Sequence, residues 1–143
     1  MNKIENNISF SLSRISTSQF AVIKESYKEG KDFDVVQMLN LGANKALNKV
    51  AVLFNIKFES DGAPFIILEI TCEFSIESNS FKAMTDEETN KVHIPVGLAR
   101  HLSVLTVGTA RGVLHAKLES TEFKDFFLPT VNVNDLVKEE IVV

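Results

Sequence analysis

The stretch that decides the fold runs over residues 49–76 and reads KVAVLFNIKFESDGAPFIILEITCEFSI. Apolar residues alternate with polar or small ones over 47–59, which is the period of a half-buried β-strand. A second apolar run covers 64–76, and Asp61-Gly62 between the two runs is a strong turn signal. The segment therefore predicts two long antiparallel strands joined as a hairpin.

Two further strands are predicted upstream of this hairpin. Serines alternate with Phe10 and Leu12 over 8–15, and apolar residues dominate 33–40. Residues 18–32 between them mix charged and polar side chains, so we expect a solvated connection there.

A helical period replaces the strand pattern in the C-terminal half. The polar and acidic run over 77–93 is expected to be a loop. Apolar residues then recur at spacings of three and four from Pro95 to about Leu118, which predicts one long helix. The segment 123–133 that follows is apolar but has no regular period.

The last part of the chain predicts a short helix over 136–141, capped by Asn134-Asp135. Because strands precede helices along the chain, the expected class is α+β. The predicted architecture is a four-stranded antiparallel sheet with one long helix packed on a face and a short C-terminal helix. We expect a single domain over 1–143.

Composition argues against several classes of protein. The 143 residues carry a formal net charge of −4 and a sequence pI of about 5.4, which disfavours a nucleic-acid-binding surface. The single cysteine, Cys72, excludes a disulfide scaffold and is typical of a reducing compartment, so a cytoplasmic protein is expected. Neither a secretory signal nor a membrane span is expected from the hydropathy pattern.

Candidate catalytic chemistry is sparse. His101 and His115 are too far apart on a helix to share a metal ion, and no motif for a nucleophile, a zinc site or a phosphate loop occurs. Glu69 and Glu73 share one face of a predicted strand, where a solvated polar face is a simpler interpretation than a catalytic carboxylate pair. We therefore expect a binding protein without cofactor or metal, and not an enzyme.

The long helix is poor in charge. No acidic residue occurs between Lys91 and Glu119, whereas a surface helix normally carries a mixed-charge face. Small residues recur every four positions along one side, and each glycine inside a helix costs about 1 kcal/mol relative to alanine. The small side either packs on the sheet of the same chain or meets a second subunit, and we favour the second interpretation. The residues predicted for this oligomer interface are Leu105, Gly108, Gly112 and Ala116.

The aromatic content is dominated by eleven phenylalanines, with one tyrosine and no tryptophan. Core burial is the default explanation for a phenylalanine. An irregular apolar segment beside a sheet can also form the wall of a groove that binds an extended polypeptide. The candidate polypeptide contacts are Phe33, Val35, Met38, Phe123, Phe126, Phe127 and Leu128.

In this order and spacing, the predicted elements resemble the SecB family of bacterial export chaperones. FSLSRIST at 10–17 is similar to the family's first strand, which ends in Arg-Ile-x-Thr. The hairpin over 50–76 resembles its third and fourth strands. VNVNDL at 131–136 resembles the family's Val-Asn-Phe-x-x-Leu, and Arg111 stands where the family's long helix carries an arginine.

The resemblance implies dimers whose sheets combine, and a homotetramer in which two dimers meet through the long helices. The implied activity is ATP-independent binding of unfolded or secretory polypeptides in apolar grooves, in the service of protein export. The family docks on the export ATPase SecA through acidic residues. Glu69 matches one docking position, whereas Gln19 and Ile23 replace acidic residues at others.

Two alternatives stay open at this point. One is a SecB-like interaction module dedicated to a single partner, such as a chaperone that accompanies a toxin–antitoxin pair. The other is a small-molecule binder or enzyme that uses a cavity between sheet and helix.

Overall fold

The computed structural model of the chain describes residues 8–143. Four long strands form one antiparallel sheet: β1 (Phe10–Val22), β2 (Asp34–Asn44), β3 (Lys49–Ser60) and β4 (Ala63–Ile76). Their order across the sheet is β1-β4-β3-β2, so β1 and β2 are the two edge strands.

Besides a short 3-10 helix at Lys24–Ser26, three α-helices and three short strands complete the described chain. The helices are α1 (Ser78–Met84), α2 (Val96–Leu118) and α3 (Val133–Leu136), and the short strands are β5 (Thr85–Asp86), β6 (Lys91–Ile94) and β7 (Ile141–Val142). The long helix α2 packs on the central strands β3 and β4. The α+β architecture with a four-stranded antiparallel sheet, one long helix and a short C-terminal helix is therefore confirmed.

The central hairpin forms as its turn signal predicts. Asp61 and Gly62 have φ angles of 48° and 80°, the left-handed pair that a tight two-residue turn of type I′ requires. The register places Phe58 opposite Ile66 and therefore turns the apolar sets of both strands to the same face. This face is buried under α2, and its members on β3 are Val50, Val52, Phe54, Ile56 and Phe58.

The first strand is longer than the sequence predicts. β1 continues beyond the predicted range 8–15 as far as Val22, so the expected solvated connection over 18–32 is wrong up to that residue. Its register with β4 shifts twice, just after Leu12 and just after Thr17. A bulge inserts one extra residue into a strand and interrupts the alternation of faces, which removes the period that identifies a strand in a sequence.

The expected loop over 77–93 is also wrong, because it contains α1 and two short strands. The carboxylate of Glu77 accepts hydrogen bonds from the backbone N–H groups of Asn79 and Ser80, at 3.0 and 2.9 Å. These bonds satisfy donors that have no partner inside the helix and so favour its start. The helix then buries Phe81 in the core.

The short C-terminal helix lies earlier than predicted. In place of a helix over 136–141, the chain forms α3 at Val133–Leu136. The side chain of Asn132 caps it by accepting a hydrogen bond from the backbone N–H of Asn134 at 3.2 Å. Ile141 lies in β7, which pairs with β6.

Candidate functional site

Six aromatic rings meet at the end of the sheet where β3 turns into β4. This aromatic cluster consists of Tyr27, Phe33, Phe58, Phe65, Phe123 and Phe126. Most of its ring pairs are edge to face, the geometry that aromatic quadrupoles prefer. Phe58, Phe65 and Phe123 are buried, whereas Phe33 is 43% exposed. The cluster therefore runs continuously from the core to the surface.

A groove of about 380 Å³ opens beside the aromatic cluster. Its floor is formed by Tyr27, Phe123 and Phe126, and charged side chains stand at its rim. On that rim Lys24 pairs with Glu122 at 3.5 Å in an exposed position. The groove thus combines an aromatic floor with a polar border, as ligand-binding clefts commonly do.

Hydrogen bonds join the segment after β1 to the β3–β4 hairpin and so hold Tyr27 in place. The backbone N–H of Ile23 donates to the carbonyl oxygen of Phe65 at 2.8 Å. Further along, Lys28 donates through its backbone N–H to Ser60 Oγ and through Nζ to the carboxylate of Asp61, at 3.3 and 2.7 Å. The Lys28 ammonium lowers the pKa of Asp61 through this hydrogen bond and through its charge.

Four of the seven predicted polypeptide contacts lie in or beside the aromatic cluster, and a fifth lies in the core. Phe33, Phe123 and Phe126 belong to the aromatic cluster itself. Val35 is half-buried on β2 and pairs with Phe58, so it lies on the same face of the sheet. Leu128 is buried in the core.

Two of the predicted contacts lie elsewhere. Met38 pairs with Asn55 and is 47% exposed on the opposite face of the sheet from Val35. Phe127 is 58% exposed, and its ring stacks on His115 of α2 at 6.0 Å. The structure therefore brings neither of them together with the aromatic cluster.

Strand β2 presents an open backbone edge next to Phe33. Its register with β3 is regular over its whole length, and its only charged residue is Asp34 at the start. The other edge strand, β1, carries two register shifts and the charged Arg14. A regular edge without bulges, lysines or prolines is a surface on which an extended chain can pair.

The predicted oligomer interface lies on the outer face of α2. Among residues 8–143, a Cβ atom added at Gly108 or at Gly112 would meet nothing within 4 Å apart from its chain neighbours and the helix's own backbone, and Ala116 is exposed. The interpretation that this small side packs on the sheet of the same chain is therefore wrong. Leu105 and Val104 lie beside the glycines, and 41% and 54% of their respective surfaces are exposed. This outer face of α2 is an apolar surface without a partner in the described part of the chain.

Glu69 lies on the sheet face that points away from α2. Its carboxylate accepts hydrogen bonds from Ser18 Oγ at 2.6 Å and from Asn55 Nδ2 at 3.3 Å. Glu73, on the same face, is instead within ion-pair distance of Arg14 and Lys49, at 3.7 and 3.8 Å. The two carboxylates have separate partners and do not form a shared site.

Other reactive groups do not gather into a site. Over residues 8–143, no group of three or more histidine, cysteine or acidic side chains is placed to hold a metal ion. Cys72 is buried, and burial raises the pKa of its thiol. Within the same range, no helix combines the length and hydropathy needed to span a membrane.

Comparisons with models of protein families, with characterised proteins and with solved structures found no match to this chain. The resemblance to the SecB family therefore rests on the sequence motifs described above and stays a prediction.

Proposed function

We propose that this protein is an ATP-independent holdase chaperone, which binds unfolded polypeptides at the aromatic cluster and along the open edge of β2. The observation that best supports the proposal is that Phe33 is exposed although it packs against rings that extend into the core. Phe33 offers an unfolded chain an apolar contact. The free edge of β2 beside it offers backbone hydrogen bonds.

Selectivity for unfolded chains follows from the side chains and backbone groups that folding buries or pairs. A folded protein buries most of its large apolar side chains and pairs nearly all its backbone groups, whereas an unfolded chain exposes both. Burying one aromatic side chain against Phe33 contributes about 1.5–3 kcal/mol. Pairing with the edge of β2 adds backbone hydrogen bonds that do not depend on the client's sequence.

The charges around the groove favour clients that carry lysine or arginine. Glu29 lines the groove, and Asp32 and Asp34 flank Phe33. None of these three carboxylates has an ion-pair partner among the described residues. Lys31 in the same segment offsets one of these charges, and the remaining negative potential attracts basic segments and repels acidic ones, an effect that salt weakens.

Self-association through the outer face of α2 is the second part of the proposal. Exposed Val104 and Leu105 lie next to two glycines that cost helix stability, and among the described residues nothing outside the helix's own backbone and the adjacent residues would come within 4 Å of a Cβ added there. The SecB resemblance supports a homotetramer built as a dimer of dimers, a role in protein export in the cytoplasm, and docking of a partner such as SecA at Glu69.

The proposal is tested by the aggregation of a chemically denatured client diluted into buffer without nucleotide and followed by light scattering. We expect the protein to suppress aggregation at near-stoichiometric ratios, and native client to show no binding. Unchanged aggregation at several-fold excess of the protein would contradict the holdase function. Co-purification of one stoichiometric partner together with that result would select the dedicated interaction module.

A further inference from the structure

A second groove, of about 370 Å³, lies between α2 and the segment 128–133. Its walls are aliphatic and include Val104, Val107, Leu128 and Val131. Among the residues that the structure describes, the only polar side chains lining it are those of Arg111 and Thr130, and no carboxylate does. It shares no residue with the groove beside the aromatic cluster, and it meets the outer face of α2 proposed for self-association only at Val104.

The guanidinium of Arg111 is held by a hydrogen bond to the backbone but forms no ion pair among residues 8–143. Its Nη2 donates to the carbonyl oxygen of Pro129 at 3.2 Å, which holds the side chain against the wall of the groove. No carboxylate lies within ion-pair distance of it in residues 8–143. A guanidinium has five N–H donors arranged to bind a carboxylate with two parallel hydrogen bonds, and because Arg111 is exposed its other donors are accessible to a ligand.

We propose that this groove binds an aliphatic carboxylate, of the class of a medium-chain fatty acid. The acyl chain lies against the valines and Leu128, and the carboxylate pairs with Arg111 and accepts a hydrogen bond from the hydroxyl of Thr130. The charge of Arg111 selects an anion, and the aliphatic walls without aromatic rings select an alkyl chain. The volume lies at the lower end of the range for small-ligand sites, roughly 300–1,000 Å³. This inference does not depend on the holdase function.

The probe is sodium decanoate, titrated below its micelle concentration into the full chain labelled at valine and leucine methyl groups. We expect saturable NMR shifts centred on Val104, Val107, Leu128 and Val131. Arg111→Gln should weaken binding about tenfold, since a charge-assisted hydrogen bond of ordinary strength corresponds to about that factor. Lys117→Gln removes the same charge from the same helix outside the groove and should leave the affinity unchanged.

A comparison of two ligands, which needs no protein variant, separates the contribution of the carboxylate charge from that of the alkyl chain. We expect 1-decanol, which has the same alkyl length and no charge, to bind about tenfold more weakly than decanoate and to be insensitive to Arg111→Gln. Equal affinity for decanol and decanoate would overturn the role of Arg111. Shifts centred on the aromatic cluster, or no saturable shift at the four groove residues, would overturn the site itself.

Discussion

The rings of Phe33 and Phe126 meet edge to face with their centroids 5.2 Å apart, although one precedes β2 and the other follows α2. A pair of this geometry is worth about 0.5–1.5 kcal/mol beyond the area it buries. Phe33 is thereby held in a fixed position while much of its surface remains in water. A binding residue that is ordered in advance loses little further freedom when a ligand arrives.

The first prediction concerns the exposed member of this pair. Phe33→Ala should weaken binding of a permanently unfolded protein, such as reduced and carboxymethylated α-lactalbumin, by roughly tenfold or more, because one aromatic contact worth about 1.5–3 kcal/mol is lost. The matched control is Phe127→Ala, which removes a more exposed ring that lies outside the cluster. Fluorescence titration measures both, and equal losses in the two variants would contradict the assignment.

The second prediction concerns the outer face of α2. Gly112→Leu should reduce the solution mass measured by light scattering, because a large side chain there blocks the approach of a second copy. Within one chain the position is open, so the protomer itself should stay folded. Lys117→Leu on the same helix is the control and should leave the mass unchanged.

Gly112→Leu also distinguishes a face of α2 that meets a second copy from a face that is covered by water. If water covers Gly112, replacing glycine in an exposed helix should stabilise the protein by up to about 1 kcal/mol without changing its mass. An unchanged mass with a higher midpoint of unfolding would therefore contradict self-association through this face.

The third prediction concerns the charge of the polypeptide that binds. A peptide with aromatic residues and lysines should bind more tightly than a peptide in which glutamates replace the lysines, and the difference should shrink as salt is added. Asp32→Asn combined with Asp34→Asn should reduce this preference. Glu139→Gln, which removes a charge in the C-terminal segment, is the control. Identical affinities for the two peptides at low salt would show that the carboxylates around Phe33 and the groove play no part in binding.

The fourth prediction concerns the pH dependence of folding through α1. Backbone hydrogen bonds from Asn79 and Ser80, with a further bond from the Ser80 hydroxyl, lower the pKa of Glu77 from its ordinary value of 4.5. Because the folded pKa lies below the unfolded one, the contribution is present above pH 4.5 and is lost as pH falls through the folded pKa.

Glu77→Gln should therefore be less stable than the parent protein at neutral pH in urea unfolding, with a difference that narrows below pH 4.5. Glu88→Gln is the control, because its side chain does not cap a helix. A difference between Glu77→Gln and the parent that stays constant with pH would mean that charge at this cap is unimportant.

Parts of the fold with a strong local signal could be predicted from the sequence. The Asp61-Gly62 turn and the alternation on β3 define the hairpin without any long-range information. The extension of β1 to Val22 could not be predicted, because two register shifts hide its period. The start of α1 was missed because its cap is Glu77, whereas a helix start is usually signalled by serine, threonine, aspartate or asparagine.

The site was predictable in part for similar reasons. Alternation within 33–40 already places Met38 on the opposite face from Val35, so this part of the site was predictable from the sequence. Tyr27 was missed because it lies in a polar stretch without an apolar period. Phe126 and Phe127 are neighbours in a segment without a regular period, so only the structure separates the ring in the cluster from the ring against His115.

The most direct test of the central claim is site-specific photo-crosslinking from position 33. A photoreactive phenylalanine analogue at this position should crosslink an unfolded client without nucleotide, and far more efficiently than the same analogue at position 127. A native client should give no product. If position 33 yields no more crosslink than position 127, or crosslinks folded and unfolded protein alike, the aromatic cluster is not the place where unfolded chains bind.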